Sequence, residues 1–413
     1  MERFIMHSDI NHCYAQIHEM MYPELKKIPM LIGGSEEKRH GIVLAKNLLA
    51  KSYGIKTAQT LRDAKKLCPH VLIIPPDYDL YQYYSKKVKD IYREYSDKVE
   101  SFGIDEAWVD LSYSTKLFGK AEDIAKEIQN RVLNEIGLTI SIGLSFNKIF
   151  AKLGSDLIKP SGFVVIGKDN FKEKIFSLAV EKLLNVGNAT KSKLNNINVF
   201  TIGDLANASL EKINKLLGKN GNMLWAFANG LDYSEVNHQN FIRKPKSIGN
   251  GITSVKDIEN NTQLKIVFQV LVESVASRLK DIQLQARVIK INIRSSDLTS
   301  FSRQTTLDCA TNTSSVVLKA VMELANDDKT FAMPVRSIRI VASKLSLDNN
   351  TTQLNLFYDA DYFIKEKKVD ETIDKIRKKF SFEVIKRANV LEDKELTNFN
   401  PKGSHTIYPV SFF

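Results

Sequence analysis

The run Phe102-Gly103-Ile104-Asp105-Glu106-Ala107-Trp108-Val109-Asp110 sets two adjacent carboxylates inside an apolar, strand-like segment. Ionised carboxylates are costly to bury unless they are paired or bind a metal. Along a regular strand, neighbouring side chains point to opposite faces. Asp105 and Glu106 can therefore serve one ion only from a turn or bulge, and Gly103 just before them makes such an irregularity plausible. A third acid, Asp9, lies in a similar setting in Phe4-Ile5-Met6-His7-Ser8-Asp9-Ile10. Three acids on apolar strands suggest a divalent-metal site for phosphate chemistry, because hard oxygen ligands suit magnesium. An exposed hairpin tip whose acids merely solvate the turn is the other reading that this motif leaves open.

Around these segments the pattern alternates strand with helix. Residues 4–6 read as a buried strand and 11–21 as a helix. Residues 30–34 read as strand then turn, 41–45 as a strand, and a helix starts near 46 and ends at Gly54. Pro69 stops a short helix at 61–68, and Pro75-Pro76 stop a strand at 71–74. Residues 79–95 form a long tyrosine-rich helix and 99–111 a hairpin-like region. Ala121, Ile124, Ala125, Ile128, Val132 and Ile136 repeat at helical spacing. A strand at 138–144 and a helix at 146–158 follow, giving an α/β or α+β catalytic layer. Residues 171–232 read as short helices punctuated by Gly187, Gly203, Gly218 and Gly221. Beyond a polar joint at 237–251, helix (264–282), strand (287–294), helix (314–326) and strand (337–344) suggest a small α+β module with one open sheet face. In the polar tail Val369, Ile373, Ile376 and Phe380 share one helical face.

At 413 residues the chain is long enough for two to four domains. Its 43% hydrophobic and 26% charged residues are those of a soluble globular protein. A net charge of +11 favours an anionic partner, nucleic acid before membrane. Residues 244–345 carry 15 Lys/Arg against 9 Asp/Glu. Three scattered cysteines, Cys13, Cys68 and Cys309, argue against a disulfide framework or structural zinc. No signal peptide and no bilayer-spanning run is evident, so a cytoplasmic location is expected.

The run Met6-His7-Ser8-Asp9-Ile10-Asn11-His12-Cys13-Tyr14-Ala15, followed by residues 101–110, resembles the Y-family DNA polymerases, within them the bacterial DNA polymerase IV group of translesion enzymes. Val43-Leu44-Ala45-Lys46-Asn47, Gly54-Ile55-Lys56-Thr57, residues 141–148 and residues 151–160 extend the likeness. It is dense over 4–165, recognisable to about 235 and looser to 345. The resemblance implies a right-hand α+β fold. Its parts are a palm (1–10 and 75–165), small fingers (11–74), a helical thumb (166–236), an α+β little finger (244–345) and a tail (346–413). It implies Asp9, Asp105 and Glu106 as ligands of two Mg²⁺ ions, with the Ile10 carbonyl completing the site and Asp105 and Glu106 catalytic. Tyr14 matches a steric gate that leaves no room for a 2′-hydroxyl. Lys159 matches a triphosphate contact, and His12 and Lys51 fall at nucleotide-binding positions. Here the chain departs from the family pattern Asn-Tyr-x-x-Arg: it has Asn47-Leu48-Leu49-Ala50-Lys51, so the charge stays but the bidentate fork is lost.

Residues 183–194 resemble a helix-hairpin-helix that grips DNA phosphate through Gly187 and Lys191, with Asn185 in place of the usual first glycine. Asn tolerates a left-handed conformation, so the turn can survive. In the basic module Arg287, Arg294, Arg336 and Arg339, with Lys290, Arg303 and Lys344, suit sequence-independent, salt-sensitive binding of primer-template DNA. Gln353-Leu354-Asn355-Leu356-Phe357 resembles a peptide that binds the bacterial beta sliding clamp through Gln353, Leu354, Leu356 and Phe357. The expectation is a monomeric, low-fidelity translesion polymerase without proofreading that uses dNTP substrates. The rivals are a catalytically silent DNA- and clamp-binding relative and, more distantly, a nucleotide cyclase with a related palm-like layer.

Overall fold

The computed structural model describes residues 2–35, 37, 39, 41–326, 328–348 and 360–401. The chain divides into two compact units, Met1–Gly34 with Ile42–Phe241, and Ser35–Gly41 with Ile242–Thr406. The segment Gln353–Phe357 lies outside the described residues.

The first unit begins with β1 (Ile5–Ile10), α1 (Cys13–Met21), β2 (Met30–Gly33), β3 (Val43–Lys46), α2 (Leu48–Ser52), α3 (Leu61–Leu67) and β4 (Leu72–Ile74). There follow α4 (Tyr78–Tyr95), β5 (Val99–Phe102), β6 (Glu106–Asp110), α5 (Thr115–Phe118), α6 (Ala121–Arg131), β7 (Ile140–Ser145), α7 (Lys148–Leu157) and β8 (Phe163–Ile166). Five of these strands form one sheet in the order β5-β6-β1-β7-β8, and three form another in the order β3-β2-β4. The apolar runs that flank Asp9 and Glu106 place β1 at the centre of the larger sheet, antiparallel to both β6 and β7. Its apolar residues on one face, such as Met6 and Ile10, join a core with Tyr81, Val88 and Tyr92 of α4 and Ile124 and Ile128 of α6.

The opposite face is covered by α7, capped by Asn147, whose side chain accepts from the Phe150 N–H at 2.7 Å. The helix lies unusually close to β7. A Cβ on Gly143 would stand 1.9 Å from the Ala151 carbonyl oxygen and 2.5 Å from the Ser155 nitrogen. Gly143 pairs with His7 across the sheet, so this close approach sets α7 over His7.

Short helices α8 (Phe171–Ile175), α9 (Asn188–Asn195), α10 (Ile202–Asn207), α11 (Leu210–Leu217) and α12 (Lys219–Ala228) share a second core. Asn185 stands at φ 73°, the left-handed conformation expected of it. Gly187 is the N-cap of α9, and the Lys191 ammonium is 2.7 Å from Glu181.

The second unit runs β9 (Ser247–Ile258), α13 (Asn261–Asp281), β10 (Leu284–Ser295), β11 (Ser300–Thr311), α14 (Ser314–Ala325) and β12 (Val335–Leu347). Its sheet is antiparallel in the order β11-β10-β12-β9. Helices α13 and α14 pack on the face that carries Ile289, Ile291, Ile293 and Ile340. Arg294 and Arg339 are exposed, Arg287 is exposed beside a bulge, and Arg336 is half-buried. Arg303 departs from the expected charged face: it pairs with Ile291 and donates to the Leu324 carbonyl of α14 at 3.5 Å.

The tail helix is longer than its apolar face suggested. α15 (Ala360–Phe380) and α16 (Lys394–Thr397) pack on this unit. Buried Asp370 accepts from the Ser314 N–H at 2.6 Å and from Arg387 at 3.1 Å, while Glu273 pairs with Arg377 and Arg387 at 2.8 Å.

Candidate active site

Antiparallel pairing sets Asp9 directly opposite Glu106, so their side chains share one face, with His7 and Trp108 two pairs further along on that same face. Asp105 precedes β6 in the turn that Gly103 opens at φ 88°. The irregularity expected at Gly103 is therefore where the two adjacent acids part company. The turn is braced from both sides. The Ile10 N–H donates to the Asp105 carbonyl at 2.9 Å. From α4, Lys89 donates to the carbonyls of Gly103 and Ile104 at 3.0 and 3.2 Å, and the Ser85 hydroxyl also donates to Ile104. Neither Ser85 nor Lys89 is legible as a site residue in the sequence, because their partners are 14 to 19 positions away.

A cavity of about 430 Å³ opens here, lined among others by Asp9, His12, Tyr14, Lys46, Lys51, Asp105 and Lys159. Ile10 and Leu48 also line it. Glu106 does not. Its Oε2 is held by the Lys152 ammonium of α7 and lies 3.2 Å from His7 Nε2. The Lys159 ammonium sits 2.7 Å from Asp9 Oδ2 and 2.8 Å from Asp156 Oδ1. Each strand acid is thus paired with one lysine from α7 or the loop beyond it.

Burial pushes the Asp9 carboxyl up to about 6; Lys159 opposes the rise, and the charges of Glu106 and Asp105 add to it. Burial and then the Glu106 charge also raise Asp105. Lys159 is pushed up by Asp9 and Asp156 although burial works against its charge. Lys89, buried beneath the turn, is brought down to about 8.

Among the described residues, no group of three or more His, Cys, Asp or Glu side chains could hold a metal ion as placed. The donor chemistry nevertheless suits a hard divalent cation. Asp9, Asp105 and Glu106 offer only carboxylate oxygens, and the charges of their acidic neighbours add to the proton affinity of Asp9 and Asp105, a repulsion that a cation relieves.

Tyr14, half-buried on α1, stacks on Tyr81 with ring centroids 4.2 Å apart and planes 7° from parallel. Tyr78 meets it edge-on at 6.0 Å. His12, at φ 37°, lies 3.2 Å from Glu19 Oε2. Lys46, expected at the start of a helix, instead ends β3 and donates to the Thr57 hydroxyl at 3.0 Å. Burial and then the neighbouring Lys51 lower its ammonium pKa. Among the described residues neither Lys46 nor Lys51 forms an ion pair, so two like charges share one cavity wall, as an anion site requires.

Residues 8–156 match the impB/mucB/samB family, residues 245–356 its C-terminal domain, and residues 181–232 the DNA polymerase-iota thumb domain. The chain is 43% identical over 396 residues to the DNA polymerase IV of Acetivibrio thermocellus, covering 96% of this chain and 99% of that one. It is 35% identical over 396 residues to DNA polymerase IV 2 of Bacillus subtilis, covering 94% of each. Its fold matches the solved "Y-family DNA polymerase chimera Dbh-Dpo4(243-245)-Dbh" at a TM-score of 0.73 and 20% identity, over 83% of this chain and 99% of that one. A strand pair that sets Asp9 against Glu106, a turn that carries Asp105 and full-length likeness to these enzymes lead to one assignment: the chain belongs to the Y-family DNA polymerases, in the DNA polymerase IV group, and is a nucleotidyltransferase.

Proposed function

We propose that the chain extends a DNA primer on damaged templates, with low fidelity and without proofreading, at the site built on Asp9, Asp105 and Glu106. The observation that carries this is the meeting in one cavity of two acids, Asp9 and Asp105, with Tyr14, Lys46, Lys51 and Lys159. The primer 3′-hydroxyl attacks the α-phosphate of a dNTP and pyrophosphate leaves. Asp9, Asp105, Glu106 and the Ile10 carbonyl would hold two Mg²⁺ ions, which would supply Lewis-acid stabilisation of negative charge at the reacting phosphate.

The rest falls to side chains of this chain. Lys159 and Lys51 bind the triphosphate as point charges, and His12 adds a ring N–H. Tyr14, held flat against Tyr81, leaves no room for a ribose 2′-hydroxyl. Fingers of residues 11–74 enclose the new pair loosely, which supports lesion tolerance over accuracy. The palm is read as 1–10 and 75–165, the thumb as 166–236 and the little finger as 244–345. Gly187, Lys191, Arg287, Arg294, Arg336 and Arg339 would bind the primer-template backbone in a salt-dependent way. Gln353, Leu354, Leu356 and Phe357 would bind a bacterial sliding clamp, with the polymerase itself a monomer in the cytoplasm.

Primer extension with Mg²⁺ tests the reading, using wild type beside Asp105→Ala and Glu106→Ala, on intact and lesion-bearing templates, with and without the clamp. Extension by wild type alone supports it. A wild type that extends nothing overturns it.

A further inference from the structure

His7 is fully buried, stacks edge-on to Trp108 with centroids 5.3 Å apart, and takes no part in the chemistry described so far. Its Nδ1 lies 2.8 Å from the Ser155 hydroxyl of α7. That hydroxyl is also 2.8 Å from the Lys152 carbonyl, to which it can donate. On the other side of the ring, Nε2 lies 3.2 Å from Glu106 Oε2, yet it makes no aligned hydrogen bond and is a buried polar atom without a partner.

The proton positions follow from what each atom faces. If the ring carries both protons, Nδ1 donates to Ser155, Ser155 donates to Lys152, and an N–H at Nε2 faces Glu106. If the ring is neutral with its proton on Nε2, Ser155 turns its hydroxyl to Nδ1 and Nε2–H again faces Glu106. Only the neutral form with its proton on Nδ1 sets a bare lone pair against a carboxylate oxygen, a buried repulsion with nothing to offset it. Both acceptable arrangements put a proton, not a lone pair, on the nitrogen that lies 3.2 Å from this oxygen, whatever the charge of the ring. The Lys152 ammonium holds that same Oε2. Among the described residues nothing holds Oε1, so the Lys152 bond and the nearby Nε2 edge both bear on Oε2 and leave Oε1 as the oxygen that Glu106 can offer outward.

We propose that His7 is a positioning residue for Glu106: Ser155 fixes the ring through Nδ1, and the N–H at Nε2, with Lys152, orients the carboxylate. This deepens the polymerase reading and rests on it for the role of Glu106. Groups that orient a metal-ligating side chain typically matter 10- to 100-fold to metal affinity or activity.

Two variants separate the ring nitrogens. His7→Gln keeps an N–H near the place of Nε2, whereas His7→Asn keeps only a group near Nδ1. The readouts are Mn²⁺ affinity of the free protein, measured by electron paramagnetic resonance, and kcat and KM for primer extension. His7→Asn should weaken Mn²⁺ binding and lower kcat by roughly 10- to 100-fold, with the dNTP KM within about threefold of wild type. His7→Gln should restore both. Equal behaviour of the two variants, or unchanged Mn²⁺ affinity in His7→Asn, overturns the proposal. If neither variant folds, nitrogen-15 spectra of the wild-type imidazole decide: a proton on Nε2 supports it and a bare Nε2 overturns it. A wild type that binds Mn²⁺ but extends no primer sinks the polymerase reading, while the Mn²⁺ comparison still judges His7.

Discussion

Asp9 and Glu106 stand on paired strands of a five-stranded sheet, and Asp105 stands on a turn braced by Ile10, Ser85 and Lys89. Across the cavity, Lys46 and Lys51 come from a three-stranded sheet of three- and four-residue strands and a five-residue helix, beside Leu48, which is 49% exposed. Backbone register fixes the first group, so a carboxylate there cannot be replaced from a neighbouring position. The second group consists of long side chains at a solvated rim, where charge can reach one anion from several positions. That difference bears on the departure at Leu48 and Lys51 from the Asn-Tyr-x-x-Arg pattern: the wall still carries two cations, because Lys46 joins Lys51 on it.

The sharpest way to break the comparison is on the acid side. Asp105→Ala should cut kcat for primer extension by about 10³-fold or more, since a preorganised charge at the reacting centre is lost, with circular dichroism unchanged. Recovery of activity by an acid introduced at a neighbouring position would refute a register-fixed wall. Next in size is the sugar filter. Tyr14→Ala should relax discrimination against ribonucleotides by roughly 10- to 200-fold, the range for filling or emptying an apolar contact. Steady-state incorporation of dNTP against rNTP measures it, and an unchanged ratio would remove Tyr14 from the gate.

On the cation rim the effect should be smaller and should fall on binding. Lys46→Ala should raise the dNTP KM about tenfold, the value of one charge-assisted hydrogen bond, with kcat within about twofold. Lys46→Arg should stay near wild type. If Lys46→Ala instead lowers kcat alone, the rim is as constrained as the acid wall.

The mildest effect is one of pH. Asp9 has its carboxyl raised to about 6, so the folded, metal-free chain holds that proton more tightly than the unfolded chain does. This group therefore favours the metal-free fold as pH falls through 6 and disfavours it as pH rises. A cation must displace the same proton, so Mn²⁺ affinity should be level above pH 6 and drop by up to about tenfold per pH unit below it. Asp9→Asn should flatten that slope, leaving only the part that the raised Asp105 carboxyl contributes.

Much of the acid wall was legible because it depends on local pattern. Apolar runs around Asp9 and Glu106 gave β1 and β6, and Gly103 gave the turn. The helical spacing of α4 and α13 placed those helices within a few residues. What could not be read depends on partners distant in sequence: Lys152 on Glu106, Lys159 on Asp9, and Ser85 and Lys89 under the turn. β9 was missed because Ser247-Ile248-Gly249-Asn250-Gly251 has the composition of a joint, and its strand character comes from pairing with β12. β11 is likewise absent from the sequence reading, because Ser300–Thr311 alternates apolar residues only weakly, and without it nothing local separates Arg303 from the basic face. The ion network of Asp370, Glu273, Arg377 and Arg387 that docks α15 likewise joins residues up to 114 positions apart.

Gly143 ties many of these contacts to one missing carbon. With a hydrogen there, α7 rests on β7 at a spacing that lets Ser155 meet His7 and Lys152 meet Glu106. A methyl group would lift the helix as a rigid lever, and every residue it carries toward the acids would move together. For a lineage drifting through sequence space, most core positions offer alternatives of similar volume, whereas this one offers no neighbour to step to. Evolvability of this layer is therefore low at a residue that has no side-chain chemistry of its own.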